Sequence, residues 1–206
     1  MGLPWALAVL SLLPLLSAQN PECFNFTVPL TNVTLDQITG KWFYLASAIR
    51  NPEFKKIAST LQSVFFYLAP NYTENTVLAK EYWTIENKCM YNVSNLKIQW
   101  ENGTLSKYRM GEEIPGYLVF TKDPRIFMIT FYPEDKQKMS LSLYADKPVG
   151  TEEQMREFYE TVACMGMDKS EIIYTDEKKD QCGPLEKQQE EGKKQNEGSP
   201  ENTEQG

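Results

Sequence analysis

The chain has 206 residues, a net charge of −7 and no histidine. That length bounds one domain of ordinary size with a sizeable core, and the acidic balance, with no basic run interleaved with aromatics, argues against nucleic acid as a partner. Without histidine the commonest general base, metal ligand and physiological pH switch are all missing, so most hydrolase mechanisms are hard to assemble.

Residues 3–16 form an apolar run that ends at Ser17-Ala18, the small-residue pattern of a cleaved secretion signal. The run is shorter than the ~20 residues a bilayer requires, and Pro4 and Pro14 interrupt it. The expected division is therefore a signal peptide over 1–18, a folded domain over 19–182 and a polar tail over 183–206. Cleavage after Ala18 would expose Gln19, which can cyclise to pyroglutamate. No second stretch is long and apolar enough to insert stably in a membrane, and monomer is the default state.

Two further features fit an oxidising, extracellular compartment. Cys23, Cys89, Cys164 and Cys182 are even in number behind a secretion signal, which points to two disulfides. Their spacing leaves three pairings open and matches no zinc module, so neither metal nor cofactor is expected. Five N-glycosylation sequons begin at Asn25, Asn32, Asn71, Asn92 and Asn102, and each one used must lie at the surface.

Past the signal, apolar residues alternate with period two between turn residues, the pattern of an antiparallel all-β domain. Strands are expected at 41–49, 62–68 (ended by Ala69-Pro70-Asn71), 76–85, 88–99, 103–109, 116–121, 125–132 and 139–144. Short connections, with Asn102-Gly103 as a hairpin turn, favour an eight-stranded up-and-down barrel, which leaves no open edge. One helix follows. Thr151 and Gln154 make a capping box, and Met155, Phe158, Tyr159, Val162 and Met165 recur at helical spacing as a stripe for the outside of the barrel. Residues 171–174 suggest a short ninth strand. From Gly183 onward large apolar residues almost vanish, so the tail is expected to be disordered.

Gly40-Lys41-Trp42, led in by Leu35-Asp36-Gln37-Ile38-Thr39, resembles the first signature of the lipocalin family. In that family a short helix enters strand one and the tryptophan closes the narrow end of the barrel. The order of elements resembles the family over essentially the whole chain past the signal. Residues 35–47, Phe65-Phe66-Tyr67, Tyr144-Ala145-Asp146-Lys147-Pro148 and Tyr174-Thr175-Asp176 sharpen the likeness. Two signatures depart from it: the second appears only as Thr121-Lys122-Asp123-Pro124, and Lys147 stands where an arginine usually packs on the tryptophan.

The resemblance implies a secreted plasma carrier of basic and neutral lipophilic compounds, drugs and steroids among them. An acute-phase, immunomodulatory role acting through cell-surface receptors is part of that implication. It also implies the pairings Cys23–Cys164 and Cys89–Cys182. An eight-stranded barrel encloses room for one small ligand. With Trp42 inward, alternation places Tyr44 and Ala46 inward too. Strand two offers Val64, Phe66 and Leu68, or else Phe65 and Tyr67, and the resemblance favours the first set. Ala79, Glu81, Leu96, Leu105, Lys107, Ile129, Phe131, Ser142 and Tyr144 complete the expected wall. Glu81 is the carboxylate placed to pair with a ligand amine, and Lys107 to offset it, meet an acidic ligand or lie at the rim. No catalytic group is expected. The thiol chemistry of a few lipocalins needs a free cysteine, and all four here are expected to be paired. A rival role is a glycan-mediated immune modulator with the barrel as scaffold.

Overall fold

In the computed structural model residues 29–109 and 112–197 are described. The expected signal peptide, Gln19, Cys23, Asn25 and residues 198–206 lie outside them. Eight strands follow in order: β1 (Gly40–Ile49), β2 (Leu61–Asn71), β3 (Thr76–Ile85), β4 (Lys88–Gln99), β5 (Thr104–Arg109), β6 (Glu112–Phe120), β7 (Ile126–Phe131) and β8 (Ser140–Ala145). Each pairs antiparallel with the next. Tyr144 of β8 then faces Tyr44 of β1, and Trp42 of β1 faces Phe66 of β2, which closes the barrel. β1 and β2 stay paired only from Gly40 to Phe43. Beyond that point β9 (Ile172–Tyr174) takes over the same edge of β1, opposite Ala46–Ala48.

The closed end is built around the Gly-x-Trp. Thr31 and Thr34 cap α1 (Asn32–Asp36) reciprocally, and the chain turns into β1 at Gly40, whose φ of +108° strains any other residue. Trp42 is buried, and its indole Nε1 donates to the carbonyl of Ile38 at 2.8 Å.

A bulge resets strand one. Register with β8 steps from Tyr44 directly to Ala46, leaving Leu45 extra. One extra residue reverses which side chains face inward. Ala46, expected inside, therefore packs with Ala48 against the outer core, while Ser47 turns in and its hydroxyl lies 2.7 Å from that of Ser142. That outer core sits under α3 (Glu152–Cys164), where Phe158 and Val162 meet Ile126, Met128, Leu141 and Leu143. The capping box is present: Thr151 N–H donates to Gln154 Oε1 at 3.0 Å, and Gln154 N–H to Thr151 Oγ1 at 3.2 Å.

Two strands outrun their expected limits through proline. β2 continues through Pro70 to Asn71, and β6 begins at Glu112 and passes through Pro115. Each proline is paired on one flank, with Val77 and with Ser106. On the other flank pairing ends at Leu68 for β2 and begins at Tyr117 for β6. A proline without a neighbour on one side costs no ladder hydrogen bond there.

The tail differs most from expectation. Gly183–Glu197 forms a helix, α4, rather than a disordered chain. Composition alone could not order it, but its start is fixed by the Cys89–Cys182 disulfide. Leu185 then packs on Phe65 and Tyr82, and Glu186 meets both Lys41 and the Tyr67 hydroxyl. Cys164 is also disulfide-bonded.

Candidate ligand-binding site

A ladder of aromatic rings rises from the closed end. Phe127 meets Trp42 edge-on at 4.8 Å and stacks on Tyr144 at 5.0 Å, and Tyr144 meets Phe66 edge-on at 5.2 Å. Such geometries are the favoured ones for aromatic quadrupoles. Above this floor the interior holds two lobes that share part of their wall. The lower, of about 270 Å³, is walled by Leu68, Ala79, Leu96, Leu105, Lys107, Ile129 and Ser142. The upper, of about 400 Å³, is walled by Tyr44, Val64, Ile49, Leu61, Trp83 and Ile85. Phe66, Glu81, Phe131 and Tyr144 border both. Each cavity position named from the sequence thus stands on the wall of one lobe or both, except Ala46.

The sequence reading names no element at the mouth. There α2 (Pro52–Ala58) starts at Asn51, whose side chain accepts from the N–H groups of Glu53 and Phe54, with Pro52 in the first turn. It brings Phe54 and Ile57 to the upper lobe, both more than a third exposed. Asn51-Pro52 followed by apolar residues at helical spacing was the available signal. Trp83 and Ile85 were legible too, since they share the alternation of Glu81.

Polar groups are few and specific. Lys107 Nζ donates to both carboxylate oxygens of Glu81, at 2.9 and 3.0 Å, and Asn92 Nδ2 donates to one of them at 2.8 Å. Lys107 also lies 5.8 Å from the Trp83 ring. The carboxylate expected to await a ligand amine therefore already has a cation of its own. Tyr44, Ser47, Ser142 and Tyr144 form a hydroxyl cluster. Burial pushes the Tyr44 phenol up to about 12 and Tyr144 higher still, so both are neutral donors at physiological pH. Among the described residues no cluster of His, Cys, Asp or Glu could hold a metal ion, and no helix is long and apolar enough to cross a membrane.

An up-and-down barrel closed by a Gly-x-Trp, with an apolar cup and one packed helix, defines a class. The lipocalin / cytosolic fatty-acid binding protein family matches residues 39–179, and the chain belongs to it. Within that family it is similar, nearly end to end, to alpha-1-acid glycoproteins. That of Bos taurus is 52% identical over 196 residues, 94% of this chain and 97% of the relative. That of Oryctolagus cuniculus is 50% identical over 195 residues, with the same coverage. Alpha-1-acid glycoprotein 1 of Mus musculus is 45% identical, covering 92% of each chain. Siderocalin Q83, whose structure is described as revealing a dual ligand binding mode, shares the fold at 13% identity. Its TM-score is 0.57, over 71% of this chain and 93% of that one.

Proposed function

We propose that the protein is a secreted plasma glycoprotein that carries small lipophilic compounds, basic and neutral, one to a barrel. The observation that carries this reading is a mostly apolar, open-mouthed cavity with a single ion pair, Glu81–Lys107, in its wall. Such a site takes its affinity from apolar area and its selectivity from a few polar groups. Drugs and steroids fit the chemistry, the hydroxyl cluster offering hydrogen bonds to a ketone or alcohol. The four described sequon asparagines, Asn32, Asn71, Asn92 and Asn102, are exposed, as glycosylation requires. An acute-phase, immunomodulatory role belongs to the same proposal through the alpha-1-acid glycoprotein relatives. No enzymatic activity is assigned.

Binding of an amine has a specific consequence here. The ligand must displace Lys107 from Glu81, so the two cations compete. Titration with a hydrophobic amine and a steroid, followed by tryptophan fluorescence, tests this. Phe66→Ala should weaken both ligands by about 1–2 kcal/mol, roughly tenfold. Glu81→Gln should weaken the amine alone, and Lys107→Met should tighten the amine alone. No saturable signal with either ligand would overturn the carrier reading and leave the barrel as a scaffold for glycans.

A further inference from the structure

The methionines of the barrel are unevenly placed. Met128, Met139, Met165 and Met167 are 7% exposed or less and belong to the outer core under α3. Met155 is half-buried against the same core. Met90 of β4 is 54% exposed, so among the described methionines its thioether is the one open to a solute.

The register sets that sulfur beside the cavity. Met90 is the direct partner of Trp83 in the β3–β4 ladder, so the two side chains leave the same face of the sheet with Cβ atoms roughly 4.5–5.5 Å apart. That face is the cavity side. Trp83 lines the upper lobe, and in the next pair on the same face Asn92 reaches Glu81, which borders both lobes. A thioether is soft and apolar, and suits an aromatic neighbour. Its sulfoxide is polar and carries a hydrogen-bond-accepting oxygen.

We propose that Met90 is an oxidation site at the cavity wall, and that its sulfoxide weakens the hold of the upper lobe on lipophilic ligands. The second half rests on the carrier function proposed above. The oxidant is a hydroperoxide, hydrogen peroxide being the simplest. The sulfur lone pair attacks the terminal peroxide oxygen, and the S–O bond forms as the O–O bond breaks. Sulfur loses two electrons and the peroxide gains them. The proton on the transferred oxygen ends on the departing one, which leaves as water or an alcohol. The new oxygen must stay hydrated or hydrogen-bonded. Beside Trp83 it keeps water at the edge of the upper lobe, and a ligand seated there has to displace that water. Oxidation of Met155 has no such effect, because that side chain packs on the outer core and borders neither lobe.

The secreted full-length protein would be treated with graded hydrogen peroxide, and each methionine followed on its own peptide by mass spectrometry. Affinity for a dansyl-labelled alkylamine and the urea midpoint would be measured at each stage. Met90→Leu removes the oxidisable sulfur at similar volume, and Met90→Gln places a polar group there without oxidation. Met90 should oxidise several-fold faster than Met128, Met139, Met165 and Met167. Affinity should fall several-fold in step with Met90 sulfoxide while the urea midpoint holds, and methionine sulfoxide reductase should restore it. Met90→Leu should keep its affinity through the same treatment, and Met90→Gln should bind weakly before any treatment. Oxidation of Met90 no faster than that of the buried methionines overturns the site. Full oxidation of Met90 with unchanged affinity overturns the coupling, as does an equal loss in Met90→Leu or a loss that tracks a falling urea midpoint. If the untreated protein does not bind the amine, the carrier reading falls with the coupling, while the peptide rates still decide whether Met90 is the oxidation site.

Discussion

Trp42 shows how one residue couples sequence to fold. Its ring is wedged against Phe127 and its only polar atom is satisfied by Ile38, so it seals the barrel without leaving a buried donor unpaired. Trp42→Ala should lower unfolding free energy by about 3–5 kcal/mol, read from urea denaturation. A loss below about 1 kcal/mol would mean that the closed end is held by something else. Gly116 is the complementary case, a position where absence of a side chain matters. A Cβ there would lie 2.7 Å from Ile129 Cγ2 on the cavity wall. Gly116→Ala should push Ile129 into the lower lobe, costing about 1–3 kcal/mol of stability and weakening ligand binding. Unchanged stability and affinity together would sink that account. Residues of the first kind announce themselves in a sequence, as tryptophans, cysteines and sequons do. Gly116 does not, because its role depends on what β7 places beside it.

At the scale of elements, alternation was readable wherever one strand stayed in register, and it failed at Leu45. A single inserted residue inverted the rest of β1, and nothing in Tyr44-Leu45-Ala46 marks the bulge, since all three residues suit either face. Pro70 misled for the opposite reason. It reads as a strand end, whereas local sequence does not show that the pairing of β1 stops short of it at Leu68. α4 is the clearest override of composition. Its polar sequence cannot form a core, but the disulfide at Cys182 lowers the entropy cost of starting the helix, and Leu185 anchors its first turn. Leu185→Ala should therefore free α4 alone. Its amides should exchange with deuterium faster while those of β2 and β3 keep their protection. Equal speeding across both strands would show that α4 supports the barrel instead of leaning on it.

The sequence has no histidine, and among the described residues the large resolved shifts are a carboxyl pushed down and phenols pushed up. On the acid side, the Arg125 guanidinium donates to Asp123 at 2.7 and 2.9 Å and holds its carboxyl well below the usual range, and the Arg125 backbone N–H and Gln154 of α3 add two more hydrogen bonds. Arg50 likewise lowers Glu171, tying the end of β1 to the segment before β9. Depressed carboxyls stabilise the fold above their unfolded values near 4 and lose that contribution as pH falls below them. The phenols act with the opposite sign. Tyr44 is raised to about 12 by burial, and Tyr144 and Tyr67 further, Tyr67 also by the carboxylate of Glu186. Their protonated forms are favoured when folded, so that stabilisation is whole below about pH 10 and is lost as pH climbs through the folded values. The urea midpoint should stay level from about pH 5 to about pH 9 and fall on both sides. Tyr44→Phe should flatten the alkaline fall, because the side chain that cannot ionise keeps its place beside Tyr144. A step in stability between about pH 6 and 8, the window histidine would have governed, would contradict this account.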